Sequence, residues 1–298
     1  MKLSLVITTF NEAKTIREWC KSLKSQTLQP DEVVVVDSDS SDSTVNIIKE
    51  ELSNFLDLKV IVEKCNISRG RNLAISNASH ENILITDAGV KLSCNWVELM
   101  SSALSNHDAV AGYYMYSGDN SLQKAYKELF YKSVKEVEPS EFLPSSRSLA
   151  LKKHVWSDVG GYNEDFDIGE DTEFDLKIKS AGYTFHFCPE AMVSWDVRES
   201  LFKTYKQHYN YSLWDGVIGQ NQFGHLRLGL IFLSQIIFAA LFFIYLGVFS
   251  FSVFFLHYFV KFFKDENRFR HIRYKVALSV GIPIVKAVAF CFGKARGS

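Results

Sequence analysis

Five cysteines in 298 residues, Cys20, Cys65, Cys94, Cys188 and Cys291, are scattered without any Cys-x-x-Cys spacing. That excludes a disulfide framework, offers no zinc pattern and fits a reducing compartment. Glycine-rich phosphate loops are missing too. There is no G-x-x-x-x-G-K-[ST], which excludes a P-loop enzyme, and no G-x-G-x-x-G after the first apolar run, which excludes a Rossmann dehydrogenase. Met1 leads into a short β-branched run with no small-residue cleavage site, so no signal peptide is expected. The most telling absence lies at 228–260, where 33 residues contain no Asp, Glu, Lys or Arg. Such a run exceeds the roughly 20 residues needed to cross a hydrocarbon core of about 30 Å.

Apolar residues make up 47% of the chain and charged residues 22%, which excludes disorder. The net charge of -1 hides a division: residues 226–298 carry +8, which leaves -9 on residues 1–225. A basic patch beside a long apolar run points to anionic lipid rather than nucleic acid, which is not an expected partner. The reading is an N-terminal domain over 1–224 and a membrane-associated region over 225–298. Within the latter, spanning or re-entrant helices occupy 228–263, with a break near Gly247, and an interfacial helix containing Pro283 and Lys286 occupies 276–293. The basic stretch 261–275 is expected on the cytoplasmic side under the positive-inside rule, together with the N-terminal domain.

Upstream, short β-branched runs alternate with helix-patterned stretches. Strands are expected at 3–8, 33–36, 58–62 and 83–85, and helices at 15–23, 44–52 and 69–78. This predicts an α/β fold, a mixed and mainly parallel sheet flanked by helices. Residues 107–152 read less regularly, with a strand at 146–151; a helix over 171–181 and a strand over 184–187 follow. In such sheets ligands sit beyond the carboxyl ends of the strands.

Those ends carry Thr8-Thr9-Phe10-Asn11-Glu12, Asp37-Ser38-Asp39 and Asp87-Ala88-Gly89. Thr8, Asn11 and Glu12 precede a helix whose N-terminus can face an anion, or else form a capped polar loop. Asp37 and Asp39 can accept hydrogen bonds from a base or ribose. Arg69 and Arg71 open a helix and match a diphosphate, or form a solvated basic turn. Asp87 is an oxygen ligand suited to Mg2+ or Mn2+. Glu170-Asp171 follows Gly160-Gly161-Tyr162-Asn163-Glu164 and holds a candidate general base, or simply complements a helix dipole.

In this order, Leu-Val-Ile-Thr-Thr-Phe-Asn-Glu, Val-Val-Asp-Ser-Asp-Ser-Ser-Asp, Arg-Gly-Arg-Asn, Thr-Asp-Ala-Gly and Gly-Gly-Tyr-Asn-Glu-Asp-Phe with Gly-Glu-Asp-Thr-Glu resemble the family-2 glycosyltransferases of GT-A fold, in their membrane-anchored bacterial form. The likeness covers about residues 2–200. It implies a nucleotide-sugar donor held by Thr8, Asn11, Glu12, Asp37 and Asp39, with Arg69, Arg71 and Asn72 near the base or diphosphate. It implies Asp87 at the metal-binding motif, Asp171 of the Glu170-Asp171 pair as the base, and Trp195 and Arg198 on the acceptor side. Ala88 and Gly89 depart from members with a second acidic residue. The implied reaction is an inverting transfer from a UDP- or GDP-sugar to a glycan or lipid-linked acceptor in surface polysaccharide or glycolipid synthesis. The rivals are a membrane-bound binding protein without turnover, opposed by the retained Asp87 and Asp171, and a nucleotidyltransferase, opposed by the lack of glycine in Thr8–Glu12.

Overall fold

The computed structural model describes residues 1–218 and 271–297, with isolated positions between 224 and 237. The chain forms two compact units, one of residues 1–116 and 132–196, the other of residues 117–131 and 197–298.

The first unit is built on strands β1 (Leu3–Thr9), β2 (Glu32–Asp37), β3 (Asp57–Val62), β4 (Asn82–Asp87), β5 (Val90–Leu92), β6 (Ala109–Ser117), β7 (Leu149–Lys152) and β8 (Phe185–Asp196). They form one sheet in the order β3-β2-β1-β4-β7-β6-β8-β5. Pairing is parallel from β3 through β2 and β1 to β4, and antiparallel at β4–β7, β6–β7 and β5–β8. The sheet is therefore mixed, with a continuous parallel run from β3 to β4. Helices α1 (Ile16–Lys24), α2 (Thr44–Leu52), α3 (Ile67–Asn77), α4 (Trp96–Leu104), α6 (Lys153–Asp158) and α7 (Glu170–Ser180) pack around it.

The inner strands read as unbroken apolar runs because both their faces are covered. Leu3, Leu5, Ile7, Val33 and Val35 pack with Trp19 and Leu23 of α1, Ile48 of α2 and Trp96 of α4. The alternate residues Val6, Val34, Val36, Ile83 and Ile85 pack with Ile75 of α3 and with Phe174 and Ile178 of α7. Each such fully buried side chain contributes about 1.5–3 kcal/mol. The result is a rigid floor whose strand tips carry the polar residues. Gly112 of β6 sits where a Cβ would lie 2.0 Å from Ser148 Oγ and 2.6 Å from the Ala191 carbonyl oxygen, so only glycine fits.

The second unit contains α5 (Ser121–Phe130), α8 (Leu201–Ile218) and α9 (Ile272–Gly297). Asn120 caps α5 in a reciprocal capping box with Gln123. Helices α8 and α9 cross closely, since a Cβ on Gly293 would overlap the Leu213 carbonyl. Tyr205 Oη of α8 donates to the Ala277 carbonyl of α9 (2.6 Å), and buried Lys275 of α9 pairs with Glu128 of α5 (2.7 Å). Within α9, Arg273–Gly293 is long and apolar enough to cross a membrane, by length and composition alone. The helix expected at 276–293 is thus part of a longer one that runs through Pro283. The spans expected over 228–263 fall almost wholly outside the described residues.

Candidate functional site

The first two strand tips are locked together. Thr9 Oγ1 donates to Asp37 Oδ2 (2.7 Å), the Ser40 amide donates to Asp37 Oδ1 (2.7 Å), and Ser40 Oγ donates to Asp37 Oδ2 (2.6 Å). Asp37 is fully buried, and both its oxygens serve the loop. Asn11 and Asp39 take left-handed backbone conformations, with φ of 54° and 64°. That region is open to short polar side chains that bond locally. The Asn11 amide accordingly donates to Ser40 Oγ (2.8 Å), and Asn11 Oδ1 accepts from the Ser41 amide (3.0 Å). Glu12 accepts from Thr15 Oγ1 (2.5 Å), while its amide donates to Thr44 Oγ1 (2.8 Å). Asn11 and Asp39 stay exposed at the rim, and Thr8 is half-buried in register with Asp87 at the end of β4.

Helix α3 braces the turn at 160–166. Asn66 caps the helix by accepting from the Arg69 amide (2.9 Å), and its Nδ2 donates to the Glu164 carbonyl (2.6 Å). Ser68 Oγ donates to the Phe166 carbonyl (2.8 Å). Asn72 Oδ1 accepts from the Tyr162 amide (2.8 Å) and Trp156 Nε1 (3.0 Å), and its Nδ2 donates to the Tyr162 carbonyl (2.8 Å) and Glu164 Oε1 (3.0 Å). The chain itself thus takes up the whole amide of Asn72. Gly161 (φ 68°) permits this approach, since a Cβ there would lie 2.6 Å from Asn72 Oδ1. Arg69 is half-exposed and donates to Glu63 (2.6 Å) and Glu164 (3.4 Å). Exposed pairs of this kind add little to stability, because water screens them.

Arg71, two residues on, is buried, with 4% of its side chain exposed. Its Nη1 donates to Glu170 Oε1 (2.6 Å), its Nη2 donates to Asp87 Oδ1 (2.9 Å), and its guanidinium carbon lies 5.4 Å from the centre of the Tyr162 ring. Burial opposes the positive charge, but the carboxylates of Asp87 and Glu170 outweigh it and hold the Arg71 pKa above its ordinary value. Burial pushes Glu170 up, Arg71 pulls it down, and neighbouring Asp171 raises it further, for a net upward direction. Asp175, one turn along α7, is buried with Oδ2 lacking a partner among the described residues. Burial, reinforced by Asp171, lifts its pKa well above the carboxylate range.

On the other side of Asp87 stands Arg147, a residue the strand-tip reading passed over. Its Nε is 3.8 Å from Asp87 Oδ2, its Nη1 donates to Ser145 Oγ (2.9 Å), and its guanidinium carbon lies 4.5 Å from the centre of the Trp195 ring. Ser145 Oγ lies 3.4 Å from Asp171 Oδ2, and Asp171 Oδ1 accepts from the Thr172 amide (2.9 Å). The first turn of α7 holds Glu170, Asp171 and Glu173, where carboxylates complement the helix dipole.

The structure therefore gathers Asp87, Arg71, Glu170, Asp171 and Trp195 into one network through Arg147 and Ser145. It turns Arg69 and Asn72 toward the turn at 160–166, and Arg198 is an exposed residue of the second unit. The signal for Arg147 was available, as a lone cation among small polar residues just after Pro144 and before an apolar strand.

A divalent cation fits this arrangement in one mode. Among the described residues no three His, Cys, Asp or Glu side chains cluster as ligands. Asp87 is partly exposed, and the space at Gly89 is open, with nothing within 4 Å of where a Cβ would stand. One carboxylate beside open space suits Mg2+-like binding, in which phosphate oxygens and water complete the shell.

The Glycosyl transferase family 2 profile matches residues 4–163, more than half the chain, and the Glycosyl transferase family group 2 profile matches 109–264. The O-antigen chain rhamnosyltransferase RfbN of Salmonella typhimurium is 25% identical over 207 residues, covering 65% of this chain and 66% of the relative. The poly-beta-1,6-N-acetyl-D-glucosamine synthase of Staphylococcus epidermidis is 24% identical over 229 residues, 70% of this chain and 53% of the relative. The chain thus spans just under two thirds, or about half, of the length of these relatives. Among solved structures, the mannosyltransferase PcManGT of Pyrobaculum calidifontis, in complex with GDP-Man and Mn2+, superposes with a TM-score of 0.69 at 18% identity, covering 98% of this chain and 88% of that one. Residues 1–349 of S. aureus TarS, in complex with UDP-GlcNAc, give a TM-score of 0.53 at 22% identity over 72% and 66% of the two chains. The structural likenesses establish a GT-A-like fold, and with more than half its length matched by the family profile, the chain belongs to glycosyl transferase family 2.

Proposed function

We propose that this chain is an inverting glycosyltransferase that moves a sugar from a UDP- or GDP-sugar to a hydroxyl of a glycan or lipid-linked acceptor in surface polysaccharide or glycolipid synthesis. The observation that carries the proposal is the network itself: Asp171 at the start of α7 is linked through Ser145 and Arg147 to Asp87 at the tip of β4. A candidate base and a candidate diphosphate anchor thus share one cluster. Relatives named as a rhamnosyltransferase and a polysaccharide synthase, and neighbours in complex with GDP-Man and with UDP-GlcNAc, support the substrate class.

In this mechanism Asp171 accepts the proton of the acceptor hydroxyl as that oxygen attacks the anomeric carbon, and the bond to the nucleoside diphosphate breaks with inversion. Glu170 is tied to Arg71, so the base role falls to Asp171. Asp87 would hold Mg2+ or Mn2+, which when bound supplies charge neutralisation at the diphosphate. Exposed Asn11 and Asp39 and half-buried Glu12 at the rim, with Thr8 beneath, would face the nucleoside; Asp37 shapes the loop from below. Trp195 and Arg198 are assigned to the acceptor side. Helix α9 and the basic, apolar C-terminal quarter support a location at the cytoplasmic membrane, with the catalytic unit in the cytoplasm.

The test is nucleotide release from UDP- and GDP-sugars by detergent-solubilised protein with Mg2+ or Mn2+ and lipid-extract acceptors. Asp171→Asn is expected to lower kcat by about 10²–10⁴ while nucleotide affinity stays within about twofold, and chelator or Asp87→Ala to abolish release. Nucleotide binding without release from any donor would favour a binding protein instead.

A further inference from the structure

We infer that Ser145 is a positioning residue for the candidate base, holding the Asp171 carboxylate in the orientation that receives the acceptor's proton, a role that rests on the glycosyltransferase reading above. A carboxylate that abstracts a proton must present a lone pair toward the departing hydrogen, and an aspartate turns broadly about its last torsion unless it is held. Asp171 is held at both oxygens. Its Oδ1 accepts from the Thr172 amide (2.9 Å), and Ser145 Oγ stands 3.4 Å from its Oδ2. The direction of the second contact follows from the donors around the serine. Arg147 Nη1 donates to Ser145 Oγ (2.9 Å), and the Arg147 amide lies 3.5 Å from the same oxygen. Both nitrogens can only donate, so the single hydroxyl proton is left for Asp171 Oδ2. A cation behind the hydroxyl polarises it and strengthens the bond it gives to a carboxylate. The 3.4 Å spacing is long, as catalytic contacts often are before the substrate arrives.

The serine sits on a fixed support. The Ser148 amide donates to the Ser145 carbonyl (2.9 Å), closing a turn over 145–148. Ser146 is buried with its Oγ 3.0 Å from Tyr162 Oη, and the Tyr162 ring stacks on Phe174 of α7 with centres 4.0 Å apart. Buried Ser148 Oγ accepts from Trp96 Nε1 (2.8 Å) and donates to the Ala191 carbonyl (3.2 Å). The turn is therefore pinned both to the sheet and, through Tyr162, to the helix that carries Asp171. Serine and aspartate keep their mutual position because the groups beneath them are themselves locked. A carboxylate offers about four lone-pair sites, and two donors here leave the others for an acceptor hydroxyl.

The test separates orientation of the base from folding and from donor binding. Apparent kcat for nucleotide release from UDP- and GDP-sugars, with Mg2+ and lipid-extract acceptors, would be measured for wild type, Ser145→Ala, Ser145→Thr, Asp171→Asn and the double variant Ser145→Ala/Asp171→Asn. Calorimetric binding of UDP and GDP and thermal unfolding would be run alongside. Ser145→Ala is expected to lower kcat by about 10- to 100-fold, the loss of one hydrogen bond to a charged group, while nucleotide affinity stays within about twofold. Ser145→Thr keeps the hydroxyl and should recover most of the rate. On the Asp171→Asn background Ser145→Ala should cost less than about threefold, because a residue that acts through the base has nothing left to orient. Losses that multiply in the double variant, a Ser145→Ala rate within about twofold of wild type, or nucleotide affinity falling together with kcat would overturn the role of Ser145 while leaving the family reading intact. No release by wild type, or release that Asp171→Asn does not slow, would remove the base itself, and this inference with it.

Discussion

Replacing Arg71 with methionine removes one cation from between two carboxylates in a region closed to water. Arg71 exposes 4% of its side chain and Glu170 9%, while Asp87 at 24% can still turn toward solvent. Breaking a buried pair by deleting one partner costs about 3–5 kcal/mol, because the remaining charge is uncompensated. Glu170 would carry most of that penalty here, since Asp87 keeps Arg147 nearby. For a unit of this size, each kcal/mol lowers Tm by about 2–4 °C, so Arg71→Met should lower it by about 6–20 °C. Neutralising the stranded partner should restore part of the loss. The double variant Arg71→Met/Glu170→Gln is expected to be more stable than Arg71→Met alone by about 0.5–3 kcal/mol, the range of couplings between contacting residues. Urea or thermal unfolding in detergent, followed by far-UV circular dichroism, gives all the required values. A single variant costing under about 1 kcal/mol, or a double variant no more stable than the single, would refute the assignment of this pair as a buried brace.

The remaining predictions concern the same unit. Asp175 has its folded pKa raised by burial and by Asp171, so its contribution to stability is complete below the unfolded value of about 3.9 and is lost as pH rises toward the folded pKa. Asp175→Asn removes that loss, and its Tm relative to wild type should climb as pH is raised from about 4 to 8; a gap independent of pH would contradict this. Gly112→Ala forces a methyl group against Ser148 Oγ and the Ala191 carbonyl, and should destabilise by about 1–3 kcal/mol in chemical unfolding. A neutral result would mean that β6 and β8 separate more easily than their packing implies.

Strands β1, β2 and β4 were legible because each is buried on both faces, which writes an unbroken apolar run into the sequence, while the edge strand β3 showed only its Val60-Ile61-Val62 end. The rest of the sheet carries weaker signals. Strand β5 is only Val90–Leu92, and β6 reads Ala-Val-Ala-Gly-Tyr-Tyr-Met-Tyr-Ser, with a glycine required by close packing. Strand β8 runs for twelve residues where four were expected, because Pro189 within it reads as a stop. At the site, sequence position alone could not separate Arg69 from Arg71. Helical spacing turns Arg69 toward the Glu63 and Glu164 carboxylates and Arg71 toward the core, a distinction set by packing. Arg147 escaped notice because it precedes its strand, whereas the rule applied looks just after strands.

The bracing of the turn at 160–166 by α3 bears on how inactive variants of this protein should be sorted. Asn66, Ser68 and Asn72 hold that turn, and Arg71 holds the start of α7, so substitutions there would abolish turnover by releasing the segment that leads into Asp171. A screen scored on product alone would list all four beside Asp171 as chemical groups. Scoring soluble abundance or protease resistance in the same cells would divide the list, with Asp171→Asn keeping wild-type levels and the α3 variants thinning out.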